Sequence, residues 1–546
     1  DEIRSRGLGD VYKRQVYTRR TFLKLSAIFG ILIAGNFFYK GSGSKIVRHI
    51  LPSVSHNKIA ISVSLFDKAE NLEVKLDNQR IIKGNRIDRD GTHWQFIIEN
   101  LQANRSYQLE LFTKQQSIFE AWNLNTFPDS EAEIENVSFM AFTCSGGGDG
   151  FKSSGREFFK PFSFRQKLFK EGLSKQPDFA IAIGDHVYWD LRGEDSPPVG
   201  RNSKLIKFFL GGYLKLRYGV FDRTVTADSK NNEEIIKKIG NEQIADLYGT
   251  IFKSTPIFFI PDDHDYFEND DAEEDIVTFP ADEFSKSAFK KMADLFYPPL
   301  LDTPNGVPDR RIGRVRYGRA FEGLMADCAG NMTLGNQNAV LISNDDEKWI
   351  RRRIKTSNAE HLAFIPSHPL GYTAGKWREW YPDIVAEEGA SGTVVNELLS
   401  GLKGILTTEV DKFLWQKGWF MQHQRLLKEL SDRSGNRFIF SGDIHAIGAS
   451  TILESKDLVL NKEIKTFLVG PVSSSTGTWP SFARGISAES PEYIKSRDIF
   501  SVLENNGFTI FHIEGEKAVA EIISCGGHNP ELGETGKIVS ETLISI

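Results

Sequence analysis

The sequence predicts an α/β domain preceded by a small all-β domain, and three observations support this prediction. Residues from about 46 to 126 show the alternation of apolar and polar side chains that strands require. A polar, proline-containing break follows at Thr126–Ile134, after which buried apolar runs mix with helical stretches. Several of these apolar runs lead directly into polar or glycine-rich sequences. We therefore place the all-β domain at residues 46–128 and the α/β domain at residues 134–546.

Length and composition favour a globular protein with more than one domain. The chain has 546 residues, of which 40% are hydrophobic and 26% are charged, as is ordinary for a soluble protein. The formal net charge of −6 argues against nucleic acid or an anionic membrane surface as a bulk partner. The three cysteines are an odd, low number that argues against a disulfide framework. A site that handles phosphate would therefore need local positive charge, which a metal ion can supply.

The N-terminal segment predicts export. Residues 1–15 show no apolar period and no targeting pattern, and we interpret them as non-native read-through. Within residues 16–45, Arg19 and Arg20 precede Thr-Phe-Leu-Lys and the apolar run Leu25–Phe38, which resembles a twin-arginine signal. An ordinary membrane anchor that carries Arg-Arg is the alternative. We expect the twin-arginine machinery to export the protein to a periplasmic or extracytoplasmic location, with this segment as a candidate membrane tether.

The predicted all-β domain contains three clearly alternating segments, Ile59–Leu65, Leu72–Leu76 and Trp94–Ile98. The sequence Leu101–Leu111 resembles the leucine and tyrosine rhythm of fibronectin-like β-sandwiches. Residue types that bind metals are not concentrated there. We therefore predict a fibronectin-like β-sandwich without a catalytic role.

The first strand-to-loop junction joins the apolar run Val137–Thr143 to Cys144 and the turn Ser145–Gly148. Glycines in such a turn let backbone N–H groups approach an anion or a metal site closely. A buried core thiol at a strand end is the simpler alternative, and it is our interpretation of Cys328 and Cys525. Alone, this junction is weak evidence for a site.

The second junction joins the apolar run Phe179–Ile183 to Gly184, Asp185 and, three residues later, Tyr188. A carboxylate at the carboxyl end of a buried strand lies where α/β proteins place their sites. The two oxygens of Asp185 can bridge two cations, and Tyr188 can return a phenolate to the same metal. For an isolated Gly-Asp sequence, however, capping of the next turn is the better explanation.

The third junction joins Ile257–Ile260 to the sequence Pro-Asp-Asp-His-Asp at residues 261–265. Carboxylates so close together repel one another unless a cation or hydrogen bonds compensate. Because an apolar strand delivers this cluster, a solvated surface is a poor explanation.

A fourth junction joins Arg437–Ser441 to Gly442, Asp443 and His445. Carboxylate and neutral imidazole two residues apart can both reach one metal. The recurrence of a strand followed by Gly-Asp or Asp-Asp-His, in order across one domain, predicts a two-metal phosphoesterase site.

The four junctions together resemble the alkaline phosphatase D (PhoD-like) family of the metallophosphoesterase superfamily. Further stretches are also similar to that family, namely Ala326–Cys328, Pro366–Pro369, Gly375–Asp383 and Phe467–Ser473. The resemblance covers most of the chain from about residue 46 onward. It implies a four-layer α/β/β/α metallophosphoesterase domain.

The resemblance also implies roles for individual residues. Cys144, Tyr188 and His445 would hold iron. Asp185 and Asp443 would be shared between the iron and a second metal, which would be calcium or another divalent ion.

Asp263 would bind the second metal, because it stands where the superfamily commonly has a ligand asparagine, and it is also a candidate catalytic residue. His264 would be the catalytic residue that contacts the phosphate and protonates the leaving group. His368 lies in a proline-rich context and is given no role.

The implied function is an exported phosphoesterase that hydrolyses phosphate esters through a metal-activated hydroxide. Two alternatives stay open. One is a phosphodiesterase or phospholipase D-like enzyme on the same fold, and the other is a non-catalytic, metal-containing surface-binding protein. A lipid substrate would favour an apolar groove, for which Trp377, Trp380, Tyr381 and Trp479 are candidates.

Overall fold

The computed structural model describes most of the chain after the N-terminal segment. The described residues are 46–150, 152–153, 156–157, 159–188, 217–266, 281–333, 336–372, 417–474, 488–491, 493–525 and 538–546. The twin-arginine segment and the aromatic candidates Trp377, Trp380, Tyr381 and Trp479 lie outside them. Within the described ranges, no helix is long and apolar enough to cross a membrane.

The described chain contains 24 strands. They are β1 (Val47–Val54), β2 (Ile59–Leu65), β3 (Glu73–Leu76), β4 (Arg80–Lys83), β5 (Asn85–Arg86), β6 (His93–Ile98), β7 (Ser106–Thr113), β8 (Gln116–Ser117), β9 (Trp122–Asn125), β10 (Asn136–Thr143), β11 (Lys152–Ser153), β12 (Arg156–Glu157), β13 (Phe179–Ile183), β14 (Ile257–Ile260), β15 (Ile312–Tyr317), β16 (Phe321–Ala326), β17 (His361–Pro366), β18 (Asn436–Ser441), β19 (Ile447–Ser455), β20 (Leu458–Val469), β21 (Ile494–Leu503), β22 (Asn506–Glu514), β23 (Lys517–Cys525) and β24 (Ile538–Ser545).

The helices of the described chain all follow β12 in the sequence. The α-helices are α1 (Phe162–Ser174), α2 (Lys230–Gly240), α3 (Asp263–Tyr266), α4 (Glu283–Phe296), α5 (Asn344–Thr356) and α6 (Lys417–Asp432), with a π-helical turn at Asn241–Asp246 and a 3₁₀ turn at Asn336–Asn338. Side-chain caps define three of the helix starts. Ser229, Asp282 and Ser343 accept hydrogen bonds from backbone N–H groups in the first turns of α2, α4 and α5.

Residues 47–125 form two antiparallel sheets. One sheet has the strand order β1-β2-β6-β5, and the other has the order β4-β3-β7-β8, with β9 also paired to β7. Along β7, buried residues alternate with exposed ones, as the sequence pattern predicts. The apolar core of this region continues into the sheets that follow. The division into a separate fibronectin-like domain therefore remains a prediction.

Two larger sheets form the rest of the fold. A six-stranded sheet has the order β14-β13-β10-β22-β23-β24, in which β10, β13 and β14 are parallel. A seven-stranded sheet has the order β15-β16-β17-β18-β20-β19-β21, in which β16, β17, β18 and β20 are parallel. Every residue of β13, β14, β16 and β17 is buried, which explains the continuous apolar runs in these sequences.

The two larger sheets pack against each other through aromatic side chains. The ring of Phe139 on β10 lies 4.6 Å from Phe321 on β16, and Phe440 on β18 lies 4.3 Å from Phe511 on β22. Residues on the opposite face of β10 contact helices instead, since Phe142 lies 5.1 Å from a phenylalanine of α1. The seven-stranded sheet likewise shares an apolar cluster with α5 and α6. The chain thus has a mixed α/β fold with several sheets.

Parallel strands of both sheets end at one edge of the molecule. Their carboxyl ends lead to Cys144 after β10, Gly184 after β13, Asp262 after β14 and Gly442 after β18. A Cβ atom on Gly184 would overlap the Asp262 side chain, and one on Gly442 would overlap Thr143. Glycine at these two exits therefore lets the loops cross closely, and side chains from both sheets meet at the same place.

Candidate metal centre

Four polar side chains converge where β10, β13 and β18 end. The Cys144 Sγ lies 3.2 Å from Asp185 Oδ2, and the Tyr188 hydroxyl donates to the same oxygen at 2.9 Å. His445 Nε2 is 3.7 Å from Asp185 Oδ2 and 3.2 Å from the Tyr188 oxygen. A thiol, a phenol, an imidazole and a carboxylate therefore share one small volume.

The remaining predicted ligands lie beside these four. Ligand atoms of Asp185, Asp263 and His264 fall within 4.8 Å of one another, and so do those of Asp262, Asp263 and Asp443. Asp263 belongs to both of these groups, and Asp185 belongs to the first of them as well as to the group with Cys144 and His445. The structure therefore brings every site residue predicted from the sequence to one edge of the two sheets.

Four of these residues have an unusual backbone conformation. Cys144, Asp185, Asp443 and His445 have φ angles of 48°, 56°, 65° and 53°, respectively. This left-handed region is sparsely occupied by residues other than glycine and is found at functional sites that the surrounding fold holds in place. The sharp turn after each strand points the side chain back toward the shared edge.

Asp265 is not one of the candidate ligands, but it connects the loops after β13 and β14 that carry them. One of its oxygens accepts hydrogen bonds from the backbone N–H groups of His186 and Val187 at 3.0 Å, and the other accepts from Asp262 N at 2.9 Å. The His186 ring contacts the backbone as well, with Nε2 3.0 Å from Ile260 O. Asp265 thus fixes the loop after β13 to the loop after β14.

The glycine-rich turn after Cys144 differs from the expectation that its N–H groups face an anion. Gly146 N donates to Asp185 O at 2.9 Å and Gly147 N donates to a glutamine side chain, so both groups are already used. The carbonyl groups of the turn instead face the buried guanidinium of Arg165, which donates to the Gly147 and Gly148 oxygens at 2.8 and 2.7 Å. The turn is therefore a rigid support for Cys144.

The carboxylates at this edge have shifted pKa values. Burial raises the pKa of Asp262 and Asp263 well above the ordinary range, and the neighbouring carboxylates raise both values further. The pKa of Asp185 is shifted in the opposite direction. Burial alone would raise its pKa, but the nearby His445 and His264 side chains outweigh burial and lower the pKa.

Burial and the Asp185 charge also raise the pKa values of Cys144 and Tyr188 well above their ordinary ranges. Both groups must lose a proton before they can bind a cation as thiolate and phenolate. Metal binding at this position should therefore release protons.

The donor set fits metal ions. Among the described residues, the Oδ1 of Asp185 and the Oδ2 atoms of Asp262 and Asp263 are buried and accept no hydrogen bond. Buried charge of this kind is costly unless it is paired or coordinates a cation. Thiolate, phenolate and imidazole suit a transition metal, whereas a group of carboxylates suits a harder cation.

His264 and two of the candidate ligands lie at the accessible side of the centre. Tyr188, His264 and His445 are partly exposed, whereas Cys144 and Asp185 are fully buried. The rings of His264 and Tyr188 are 4.4 Å apart. A substrate that approached from solvent would therefore meet His264 before it met the buried carboxylates.

His368 belongs to the site, although the sequence analysis gave it no role. It follows β17, and its Nδ1 lies 2.5 Å from Asp262 Oδ1. Burial lowers the pKa of His368 to about 3, so the ring is neutral near pH 7. Its position after a buried parallel strand was the available signal, but no Gly-Asp sequence accompanied it. Asp262 was noticed as part of a cluster, but its contact with His368 was not foreseen.

Two solved structures share the fold of this chain. The first, described as the structure of PhoD, superposes with a TM-score of 0.57 and 13% identity over 93% of this chain and 90% of that chain. The second, purple acid phosphatase PPD1 from yellow lupin (Lupinus luteus) seeds, has a TM-score of 0.52 and 12% identity, covering 92% of this chain and 74% of that chain. No family model and no curated protein matches the sequence. The chain therefore shares its fold with PhoD and with this purple acid phosphatase.

Proposed function

We propose that this protein is a metal-dependent phosphoesterase. The observation that carries the proposal is the meeting of Cys144, Asp185, Tyr188 and His445 with Asp263 and Asp443 at the carboxyl ends of parallel strands from two sheets. The fold shared with PhoD and a purple acid phosphatase supports this class of reaction. The similarity is structural, so the reaction itself rests on the chemistry of the site.

We propose two metal positions, which the grouping of the candidate ligands supports. Cys144, Tyr188 and His445 would hold one metal, which we propose to be iron, and Asp263 with Asp443 would hold the second, which we propose to be calcium or another divalent ion. Asp185 would be shared between them. When bound, such metals neutralise phosphate charge and lower the pKa of a coordinated water.

The chain's own residues then supply orientation and proton transfer. His264 stands at the partly exposed side of the centre, where it can donate a hydrogen bond to a phosphoryl oxygen or a proton to the departing alkoxide. Its backbone N–H donates to Asp263 Oδ1 at 2.9 Å, which ties the position of the His264 main chain to that carboxylate. Asp185, Asp262 and Asp263 are fully buried, so electrostatic interactions with these side chains are stronger than in solvent.

We further propose a four-layer α/β/β/α arrangement of the catalytic region and an exported location. Apolar contacts between the two large sheets and helices on their other faces support the layering. The sequence of Arg19 and Arg20 ahead of Leu25–Phe38 supports export through the twin-arginine machinery.

Metal analysis and ester hydrolysis on one purified sample of the full chain test the proposed function. We expect bound metal, hydrolysis of p-nitrophenyl phosphate or bis-p-nitrophenyl phosphate, and loss of activity with a chelator. The preferred ester would distinguish a phosphomonoesterase from a phosphodiesterase.

Asp185→Asn should abolish both metal binding and hydrolysis. Asp178→Asn is a matched control, because Asp178 precedes the same strand at its opposite end and binds Ser138 N. Metal without turnover of either ester would favour a binding protein, and a metal-free active enzyme would contradict the proposal.

A further inference from the structure

Gln243 joins the loops that carry two of the candidate ligands, Cys144 and Tyr188. Its Oε1 accepts hydrogen bonds from Gly147 N at 2.6 Å and from Tyr188 N at 2.9 Å. Its Nε2 donates to Tyr188 O at 2.9 Å. Gln243 is only 1% exposed, so these bonds form in an interior where they are stronger than in water.

Gln243 reaches both loops from the π-helical turn Asn241–Asp246, which directly follows α2. A π turn contains an extra residue and thereby changes the direction of the side chains relative to a regular helix. The far end of the turn is anchored independently. Gln166 Nε2 donates to Asp246 O at 3.0 Å, and the Asp246 carboxylate binds Arg48 at 2.6 and 2.8 Å.

One side chain holds the backbone of Tyr188. The residue lies outside any strand or helix and is partly exposed. Both of its backbone polar groups are nevertheless bound to the one amide of Gln243. The phenol can approach Asp185 and His445 only while this segment of main chain stays in place.

We propose that Gln243 is a positioning residue that holds the Tyr188 phenol against Asp185 and His445 and ties Tyr188 to the Cys144 turn. The inference rests on the proposed function, because it takes this group to be a metal site. Loss of Gln243 should therefore weaken metal binding although no ligand is removed.

A double-mutant cycle between Gln243→Met and Tyr188→Phe tests the proposal on the full chain. The protein would be freed of metal with a chelator and titrated with Co²⁺, and melting temperatures would be measured in parallel. We expect Gln243→Met to weaken the Kd for Co²⁺ about tenfold or more, the usual effect of losing a residue that orients a ligand. In the Tyr188→Phe background, the same change should add little, because the phenol that Gln243 positions is already absent.

Gln166→Met is the matched control, since it removes an amide bound to the same π turn without touching Tyr188 or Gly147. It should lower the melting temperature without altering the Co²⁺ Kd. If Gln243→Met does not fold, Gln243→Glu serves in its place. The glutamate keeps an acceptor for both N–H groups but loses the donor to Tyr188 O.

Additive effects of Gln243→Met and Tyr188→Phe, or an unchanged Kd in Gln243→Met, would overturn the positioning role. An unchanged Kd in Tyr188→Phe would overturn it too, because the phenol would then not be held for a metal. The proposed function is judged separately by ester hydrolysis of the parent protein. Metal-dependent hydrolysis together with additive effects would mean that only the role of Gln243 is wrong.

Discussion

Cys144 and Asp185 contribute donor atoms to the centre in different ways. Cys144 offers one Sγ, which lies beside Asp185 Oδ2, and Tyr188 and His445 also lie close to that oxygen. Asp185 belongs to the group with Cys144 and His445 and also to the group with Asp263. Removal of the thiol should therefore affect one metal position, whereas removal of the Asp185 charge should affect both.

Cys144→Ala should lower the metal content by about one ion per chain, while Asp185→Asn should remove both ions. Elemental analysis by mass spectrometry checks the stoichiometry. Cys525→Ala is the control, because Cys525 is also a buried free cysteine but belongs to β23, outside the candidate ligand groups. Full metal content in Cys144→Ala would show that the thiol is only a core side chain.

His264 should act on the substrate rather than on the metals. We expect His264→Asn to keep its metal content and to lower kcat by roughly 10²- to 10⁴-fold, the usual contribution of a general acid or base. Hydrolysis rates for phosphate esters with leaving groups of different pKa measure this role. If His264 protonates the leaving group, alkyl esters should lose more activity than p-nitrophenyl phosphate. Loss of metal from this variant would instead make His264 a ligand.

At the scale of elements, each predicted ligand depends on how a strand ends. β13 and β14 run in parallel, and Gly184 lets their loops pass close enough for Asp185 and Asp262 to occupy one site. Gly184 has a φ of +69°, a conformation that residues with a side chain rarely adopt. The glycine therefore serves both the backbone turn and the packing of the two loops.

Gly184→Ala should destabilise the fold by roughly 2 kcal/mol or more, because alanine adds a steric overlap with Asp262 to the cost of its backbone conformation. Gly306→Ala provides a matched control. Gly306 has a similar φ of +71°, and a Cβ there would meet nothing within 4 Å. Urea denaturation should show a smaller loss for Gly306→Ala. Equal losses in the two variants would mean that the contact with Asp262 is easily relieved.

At the scale of the whole molecule, the buried carboxylate of Glu322 joins three parts of the chain. It accepts hydrogen bonds from Arg316 on β15 and Arg353 on α5 at 2.9 Å, and from Ser357, just after α5, at 2.5 Å. Burial by itself would raise the pKa of Glu322, but Arg353, Ser357 and the other arginines outweigh it and lower the pKa. Glu322 therefore stabilises the fold in its charged form.

Glu322→Gln should lower the free energy of unfolding at pH 7 by about 3 kcal/mol, as when one partner of a buried ion pair is removed. Because the pKa is lower in the folded state, this stabilisation is present above the unfolded pKa of about 4.3 and is lost as the pH falls below it. Unfolding curves of parent and variant should therefore converge on acidification from pH 7 toward pH 3. The matched control is Glu516→Gln, the same change at an exposed turn after β22, which should cost far less stability at pH 7. A gap between parent and Glu322→Gln that stayed constant with pH would contradict this account.

The strands that carry the site could be predicted because β13, β14 and β18 are apolar runs with sharp polar ends. Positions at strand ends also located Cys144 and Asp185. The pairing of strands could not be predicted, since the register that places Asn136 beside Glu514 has no local signal. The residues that hold the site loops in place could not be predicted either, because their contacts also lack a local signal in the sequence. Arg165 on α1 and Gln243 in the π turn act through backbone groups that are distant in the sequence.

The distance along the chain between Cys144 and Asp443, 299 residues, has a consequence for biosynthesis. A growing polypeptide that has completed β10 and β13 still lacks the last donor atoms of both proposed metal positions. These atoms arrive only when β18 and the turn after it have emerged and joined the seven-stranded sheet. Capture of the proposed metals would therefore be a late event, and a nascent chain that stops before residue 436 should emerge without a working centre, even where its first sheets have already formed.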